Sequence, residues 1–355
     1  MKALKIFTTI LTCVFLAVGF GPAVGQAINV DPLTAMGGLM AVSLIPMKLA
    51  GVLPMAVQKE IWVNHIIGNL FKNNDFLNYA FNADEYVLQG KVVHIPQAAA
   101  TPSVQKNRSS LPATVVKRSD TDITYALDEF TSDPVLIPNA DQYELSYNKR
   151  ESVLAESESA LRELVAEWML RNWAPTVTAY KTLTTGGTIA AHTSAATGNR
   201  KMPLIADVKR INKIMDKDNI PSEDRYIMFD ADMYDQFLES LTATQYRDFS
   251  QSIDPKTGIV GELFGFKFMK RSTCLVYDTS LTIYDPGYTG ATTDKAAALA
   301  WQKNSVERAL GTVDFFEQIK SPTYYGDIYS TLIRMGGRKR RTAGEGVVAL
   351  VQDAG

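Results

Sequence analysis

The chain has 355 residues, of which 46% are hydrophobic and 21% charged, and a formal net charge of -2. That is the balance of a folded chain long enough for two domains or one large fold with insertions, and it excludes a disordered one. The near-neutral charge excludes recruitment of nucleic acid by a global field, and the cysteine pair Cys13 and Cys274 excludes a disulfide framework, since loss of a leader would leave only one.

Lys2 and Lys5 precede an uncharged run from Ile6 to Val24 that ends in small residues, the layout of a secretory signal peptide. Thr12 stands before Cys13, where a lipoprotein site would have Gly, Ala or Ser, so both cysteines read as small apolar residues. From Leu33 to Val57 the chain is again apolar, but Pro46 and Pro54 interrupt helical hydrogen bonding. This stretch reads as a buried or partner-docked arm, not a membrane helix. Apolar positions Ile61, Ile66, Leu70, Leu77 and Phe81 then mark short helical pieces.

"EYVLQGKVVHIP" predicts strand, turn at Gln89–Gly90, and strand. A polar stretch without periodicity follows, given a basic cast by Lys106, Arg108, Lys117 and Arg118. "ITYALDEFTSDPVLIP" then alternates as a strand. Two strands flanking an extended middle describe a long projecting hairpin, and an isolated two-stranded arm is only marginally stable in water. Such an arm needs another surface to lie on, and those four basic residues are the candidate subunit contacts.

Asn139–Ala140–Asp141 offers an N-cap for the strongest helix, which Pro175 ends. Leu154, Leu161, Val165, Trp168 and Met169 fall at helical spacings over about 30 residues, roughly 45 Å at 1.5 Å per residue. Thr184 to Asn199 reads as an exposed polar loop. Leu204, Val208, Ile211 and Met215 share one face of the next helix; "RYIMF" is a buried strand, Asp230 a cap, and "ADMYDQFLESL" a helix. Gly261 and Gly265 precede an alternating strand Phe264–Phe266–Phe268. "AALAWQKNSVERAL" predicts a strand and a short helix, "GTVDFFEQIKSPTYYGDIYSTLIRMGGRKR" strands, and "GEGVVALVQD" a closing strand.

Catalytic, cofactor and metal chemistry has no seat in this pattern. His65, His94 and His192 lie in separate segments without ligand-spaced neighbours, and no nucleophile elbow, phosphate loop or dinucleotide glycine pattern occurs. Asp230 and Asp232 are too few oxygens for a hard-cation loop, and helix capping accounts for Asp230. The basic run Arg334, Arg338, Lys339, Arg340 and Arg341 suits either nucleic acid phosphates or pairing with acidic neighbours around the Gly336–Gly337 turn. No catalytic, cofactor-binding or metal residues and no small-molecule substrate are therefore expected.

"KIMDKDNIPSEDRYIMFDADMYDQFL" resembles the segment of tailed-phage major capsid proteins in which a helix ends at an "NIP" or "NVP" turn before a strand and a second helix. "GIVGELFGFKFMKRSTCL" is similar to the "IGxxxGFxIxxSNxL" stretch downstream in that family, and "AALAWQKNSVERAL" to its late "alAf" strand followed by a helix. The three matches span roughly Leu204 to Leu310 in the family's order.

The resemblance implies the Hong Kong 97-like fold, an α+β subunit with an extended loop, a long spine helix, and peripheral and axial domains. It implies an apolar leader and arm at 1–57, a helical segment at 58–85, the extended loop at 86–137, and the spine helix with peripheral domain at 138–174. A mainly axial domain would span 175–310, and strands 311–355 would return to the peripheral domain. The implied function is self-assembly, as homo-oligomeric hexamers and pentamers, into an icosahedral virion shell put together in the host cytoplasm. Packaged double-stranded DNA would be touched non-specifically, with scaffolding, portal or decoration proteins as further partners. The leader supports an alternative, an exported surface or periplasmic binding protein with a cleaved signal peptide. A weaker alternative is an encapsulin-type compartment shell.

Overall fold

Strands whose every residue is apolar-lined belong in the middle of a sheet covered on both faces, and three such strands organise this chain. In the computed structural model they are β9 (Arg225–Asp230), β13 (Lys295–Gln302) and β16 (Val347–Val351), each buried along its whole length. The structure describes residues 63, 66, 67, 70, 74–87, 92–97, 104, 106–109, 112, 115, 117, 120–138, 149–254 and 256–355, all within the unit Val63–Gly355. The leader, the apolar arm, the Gln89–Gly90 turn, the Asn139–Ala140–Asp141 cap and Arg118 lie outside them.

Chain order gives the remaining strands. These are β1 (Phe81–Asn82), β2 (Val92–Gln97), β3 (Thr121–Ala126), β4 (Asp128–Thr131), β5 (Val135–Pro138), β6 (Lys181–Leu183), β7 (Thr188–Ala190) and β8 (Asn199–Lys201). After β9 come β10 (Ile259–Leu263), β11 (Phe266–Arg271), β12 (Leu275–Tyr277), then β13, β14 (Val306–Ser321), β15 (Gly326–Lys339) and β16. The helices are α1 (Lys149–Trp173), α2 (Ile205–Lys217), α3 (Ala231–Glu239) and α4 (Ala243–Ser250).

One sheet of seven strands runs β10-β11-β9-β13-β16-β6, with β12 also on β13. Helix α2 turns Val208, Ile211 and Met215 into its core, as the spacing predicts. Phe229 of β9, Phe237 of α3, Phe249 of α4 and Phe268 of β11 stack there with ring centroids 5.0–6.0 Å apart. Such pairs each add about 0.5–1.5 kcal/mol beyond area burial. Asp230 caps α3, its Oδ1 accepting the Met233 N–H at 2.6 Å.

The expected strand Phe264–Phe266–Phe268 begins later than its alternation suggests. Leu263 pairs with Phe266, which leaves Phe264 and Gly265 as a two-residue turn, both at positive φ (52° and 77°). That is the hairpin geometry whose twist matches the flanking strands. Phe264 consequently lies at the surface, with the Lys209 ammonium 5.1 Å from its ring centre.

A second sheet runs β1-β14-β15-β4, with β5 also on β15. Its frame is a hairpin of 16- and 14-residue strands. Here too the expectation is corrected: no helix follows the "alAf" strand. Lys303–Ser305 make one 3₁₀ turn, and Val306 to Leu310 pair with Lys339 to Met335. Long-range pairing overrides the helical spacing of those residues. The predicted loop Thr184 to Asn199 likewise holds a small hairpin, β7 paired with β8.

Helix α1 has 25 residues, about 38 Å at 1.5 Å per residue. Leu161, Val165, Ala166, Met169, Leu170 and Trp173 form its buried stripe. At its end the Trp173 indole N–H donates to the Glu307 carbonyl at 3.0 Å, binding helix to hairpin. Among the described residues no helix is long and apolar enough to cross a membrane.

Candidate assembly interface

The β2–β3 pair is a two-stranded sheet of its own, in register from Val92↔Ala126 to Gln97↔Thr121. Period-two alternation gives it two unlike faces. Val93 and Ile95 are buried on one; His94, Thr124 and Asp122 are exposed on the other, where His94 Nδ1 pairs with Asp122. Through Val93 the buried face rests on a small cluster of Ala83, Leu127 and Ala309. The arm therefore has an apolar foot on one side only.

Charged residues clamp that foot. Asp84 accepts the Leu310 N–H at 2.7 Å and Arg308 Nη1 at 3.2 and 3.3 Å, while Arg308 Nε donates to the Leu77 carbonyl. Glu307 is almost fully buried, with Arg340 Nε 3.2 Å from its carboxylate and the Arg340 guanidinium 3.9 Å above the Phe81 ring. Burial pushes the Glu307 carboxyl up, against the opposing pull of Tyr125 and Arg340. The Gln97 amide donates to the Arg340 carbonyl at 2.6 Å and Arg338 donates to that of Thr124, so β15 grips both strands of the arm. A cleft of ≈ 880 Å³ opens beside this grip, lined by Ile95, Pro96 and Arg341 among others.

Asp84→Ala leaves the Leu310 N–H and the Arg308 guanidinium short of an acceptor. Lost bonds to a charged group are worth ~1.5–3 kcal/mol, so the urea midpoint is expected to fall and hydrogen exchange at the arm foot to quicken. An unchanged midpoint would mean that Asp84 is a bystander.

The sequence-predicted contact residues are spread along the arm beyond the foot. Lys106 and Lys117 are exposed and Arg108 is half-buried. Arg334, Arg338, Lys339 and Arg340 of the basic run have partners within their own chain, and Arg341 is exposed. Arg334 Nε donates to Glu129 at 2.8 Å, Arg340 pairs with Glu307, and Lys339 Nζ donates to the Ala174 carbonyl at 2.9 Å. Burial, with Arg338, Lys181 and Arg171 nearby, pushes the Lys339 amine down to about 8.

Sequence reasoning missed two parts of this surface. The clamp joins Asp84, Tyr125, Glu307, Arg308 and Arg340, and no local pattern announces it. The other is the tip of the β14–β15 hairpin, where Ile319, Tyr324 and Tyr325 are exposed, Tyr325 at 79%. "SPTYYG" between two alternating runs was the available signal for that turn.

A chain with a separate two-stranded arm, a long helix against a long hairpin, and a seven-stranded sheet matches solved capsid structures. The capsid of Ralstonia phage GP4 superposes with a TM-score of 0.55 at 14% identity, over 78% of this chain and 87% of that one. The capsid asymmetric unit of cyanophage Pam1 gives 0.55 at 10% identity, over 78% and 91%. The capsid of cyanophage P-SCSP1u gives 0.53 at 17% identity, over 77% and 86%. The chain has a capsid-subunit fold. No family model and no curated protein matches the sequence.

Proposed function

We propose that this chain is the major subunit of an icosahedral bacteriophage shell enclosing double-stranded DNA. The observation that carries the reading is a capsid-subunit fold shared over more than three quarters of the chain. The physics of the arm agrees with it. Exposed Val104 and Val115, at 93% and 95%, are apolar groups awaiting a surface, and a neighbouring copy supplies one. Head-to-tail contacts of this kind close into rings, here hexamers and pentamers, and rings into a shell.

Residues 86–137 then form the extended loop, the five-stranded sheet with α1 the peripheral domain, and the seven-stranded sheet the axial domain. Strand β16 belongs to the axial part in this scheme, and β14–β15 to the peripheral part. Lys106, Arg108, Lys117 and Arg118 are the arm's charged contacts with the neighbour. The role is structural and non-enzymatic. DNA is met through non-specific charge, scaffolding and portal proteins assist, and assembly takes place in the host cytoplasm before the virion is complete. The exported-protein alternative rested on the leader, and nothing in the described residues adds to it.

Negative-stain electron microscopy of the purified protein, full-length and starting at Ile28, tests the reading. Closed shells, capsomer rings or tubes from either form are expected. A compact monomer from both under assembly conditions would overturn it.

A further inference from the structure

A chain of four polar side chains, three of them buried, ties the loop of the β7–β8 hairpin to α3 and to the residue after β16. The Gln352 amide donates to Gln236 Oε1 at 3.0 Å, and Gln236 Nε2 faces His192 Nδ1 at 3.4 Å. His192 Nε2 faces Asp230 Oδ2 at 3.1 Å, and Asp230 Oδ1 accepts the Met233 N–H. Gln352, Gln236 and Asp230 are buried, and the His192 side chain is 15% exposed. Each link has one donor and one acceptor when His192 is neutral with its proton on Nε2. A second proton, on Nδ1, would confront the Gln236 amide donor.

We propose that His192 is a proton-operated clasp: its protonation turns the Gln236 and Gln352 amides over together and clamps the β7–β8 hairpin onto α3. In the reversed chain His192 Nδ1 donates to Gln236 Oε1, and Gln236 Nε2 donates to Gln352 Oε1. His192 meanwhile forms a buried ion pair with Asp230. At each of the three links, His192–Asp230, His192–Gln236 and Gln236–Gln352, the reversed chain again sets one donor against one acceptor, which gives the element two arrangements.

The surroundings favour the charged form. Burial alone would push the imidazole down, but the hydrogen bond and charge of Asp230, with Asp232 behind it, outweigh burial and hold it above its ordinary range. A group raised by folding stabilises the folded form below its unfolded pKa, about 6.5 for histidine. That stabilisation is lost as pH rises through the folded value. The other charged groups lining the adjoining ≈ 240 Å³ cavity already have partners: Arg171 pairs with Asp285 at 2.7 Å, and Glu167 accepts from Thr273. Burial pushes the Cys274 thiol up to about 12, outside the relevant range.

Hydrogen exchange of the full chain at pH 6 and pH 8, corrected for the intrinsic rate, tests the clasp in peptides covering residues 188–201. Protection is expected to be greater at pH 6, by up to tenfold for each unit by which folding raises the imidazole pKa. His192→Gln is expected to equalise the two. Gln236→Glu places a carboxylate acceptor at Nδ1 and is expected to carry the pH 6 protection up to pH 8. Equal protection of the unmodified chain at both pH values, or a pH dependence that survives His192→Gln, would overturn the clasp. Should His192→Gln fail to fold, a Gln236→Glu profile identical to that of the unmodified chain would do the same. The clasp does not depend on the shell reading.

Discussion

Replacing Gly337 of β15, where the strand packs against α1, by alanine is expected to lower the urea midpoint of the chain. A Cβ there would lie 2.4 Å from Met169 Cε, 2.5 Å from the Glu307 carbonyl oxygen and 3.1 Å from Trp173 Nε1. The methionine tip can swing away. The carbonyl cannot: β14 is held in register with β15 by Glu307↔Arg338 and Arg308↔Gly337, and that oxygen accepts the Trp173 indole proton. Either the helix backs off the hairpin or the strand pair distorts. Overpacking of this kind costs ~1–3 kcal/mol, and loss of the indole bond adds ~0.5–1.5 kcal/mol. Gly187→Ala is the control, because its Cβ would meet only Met202 Sδ at 3.8 Å. Equal midpoints for the two variants would mean that the helix is free to shift on the hairpin, and that Gly337 sets no packing distance.

Local signals were legible where local physics decides. The unbroken run "RYIMF" read as a buried strand, and helix capping accounted for Asp230 better than a cation site did. The three-residue and four-residue spacing of Val208, Ile211 and Met215 placed one face of α2. Errors came where a distant segment decides. Val306 to Leu310 has an acceptable helical pattern and becomes strand because β15 offers it a full ladder. Phe264 alternates with Phe266 and Phe268, yet the pairing of Leu263 with Phe266 turns it into hairpin corner. The arm was visible as a hairpin with nothing under it. Its clamp was not, because Asp84, Tyr125, Glu307 and Arg340 are brought together by β14 and β15 and share no sequence neighbourhood. The family resemblance reached Leu204 to Leu310, whereas the fold likeness extends over 78% of the chain. Identity of 17% or less in the structures compared explains why short ordered motifs carried more than overall similarity.

Cutting the arm back to its foot separates folding from assembly. Gln97 and Thr121 face each other in register, so a two-residue Asn-Gly turn can replace residues 98–120 without moving β2 or β3. What holds the subunit together lies below that cut. Val93 stays on Ala83, Leu127 and Ala309, and the Gln97 amide keeps the Arg340 carbonyl. The urea midpoint is therefore expected to stay close to that of the full chain. Exposed Val104 and Val115 contribute no burial to the isolated subunit, and a shorter loop costs less closure entropy. Shell formation, followed by electron microscopy and light scattering, is expected to be lost, because the removed residues are those the shell reading lays across a neighbour. A milder form reverses charge alone. Lys106→Glu with Lys117→Glu keeps the arm's length and is expected to slow assembly most at low salt, where exposed charges act over tens of ångströms. Shells from the shortened chain would show that some other surface, such as the aromatic tip of β14–β15, carries the subunit contacts. A shortened chain that no longer folds would instead show that the arm beyond Gln97 is part of the subunit's own core, which its exposure argues against.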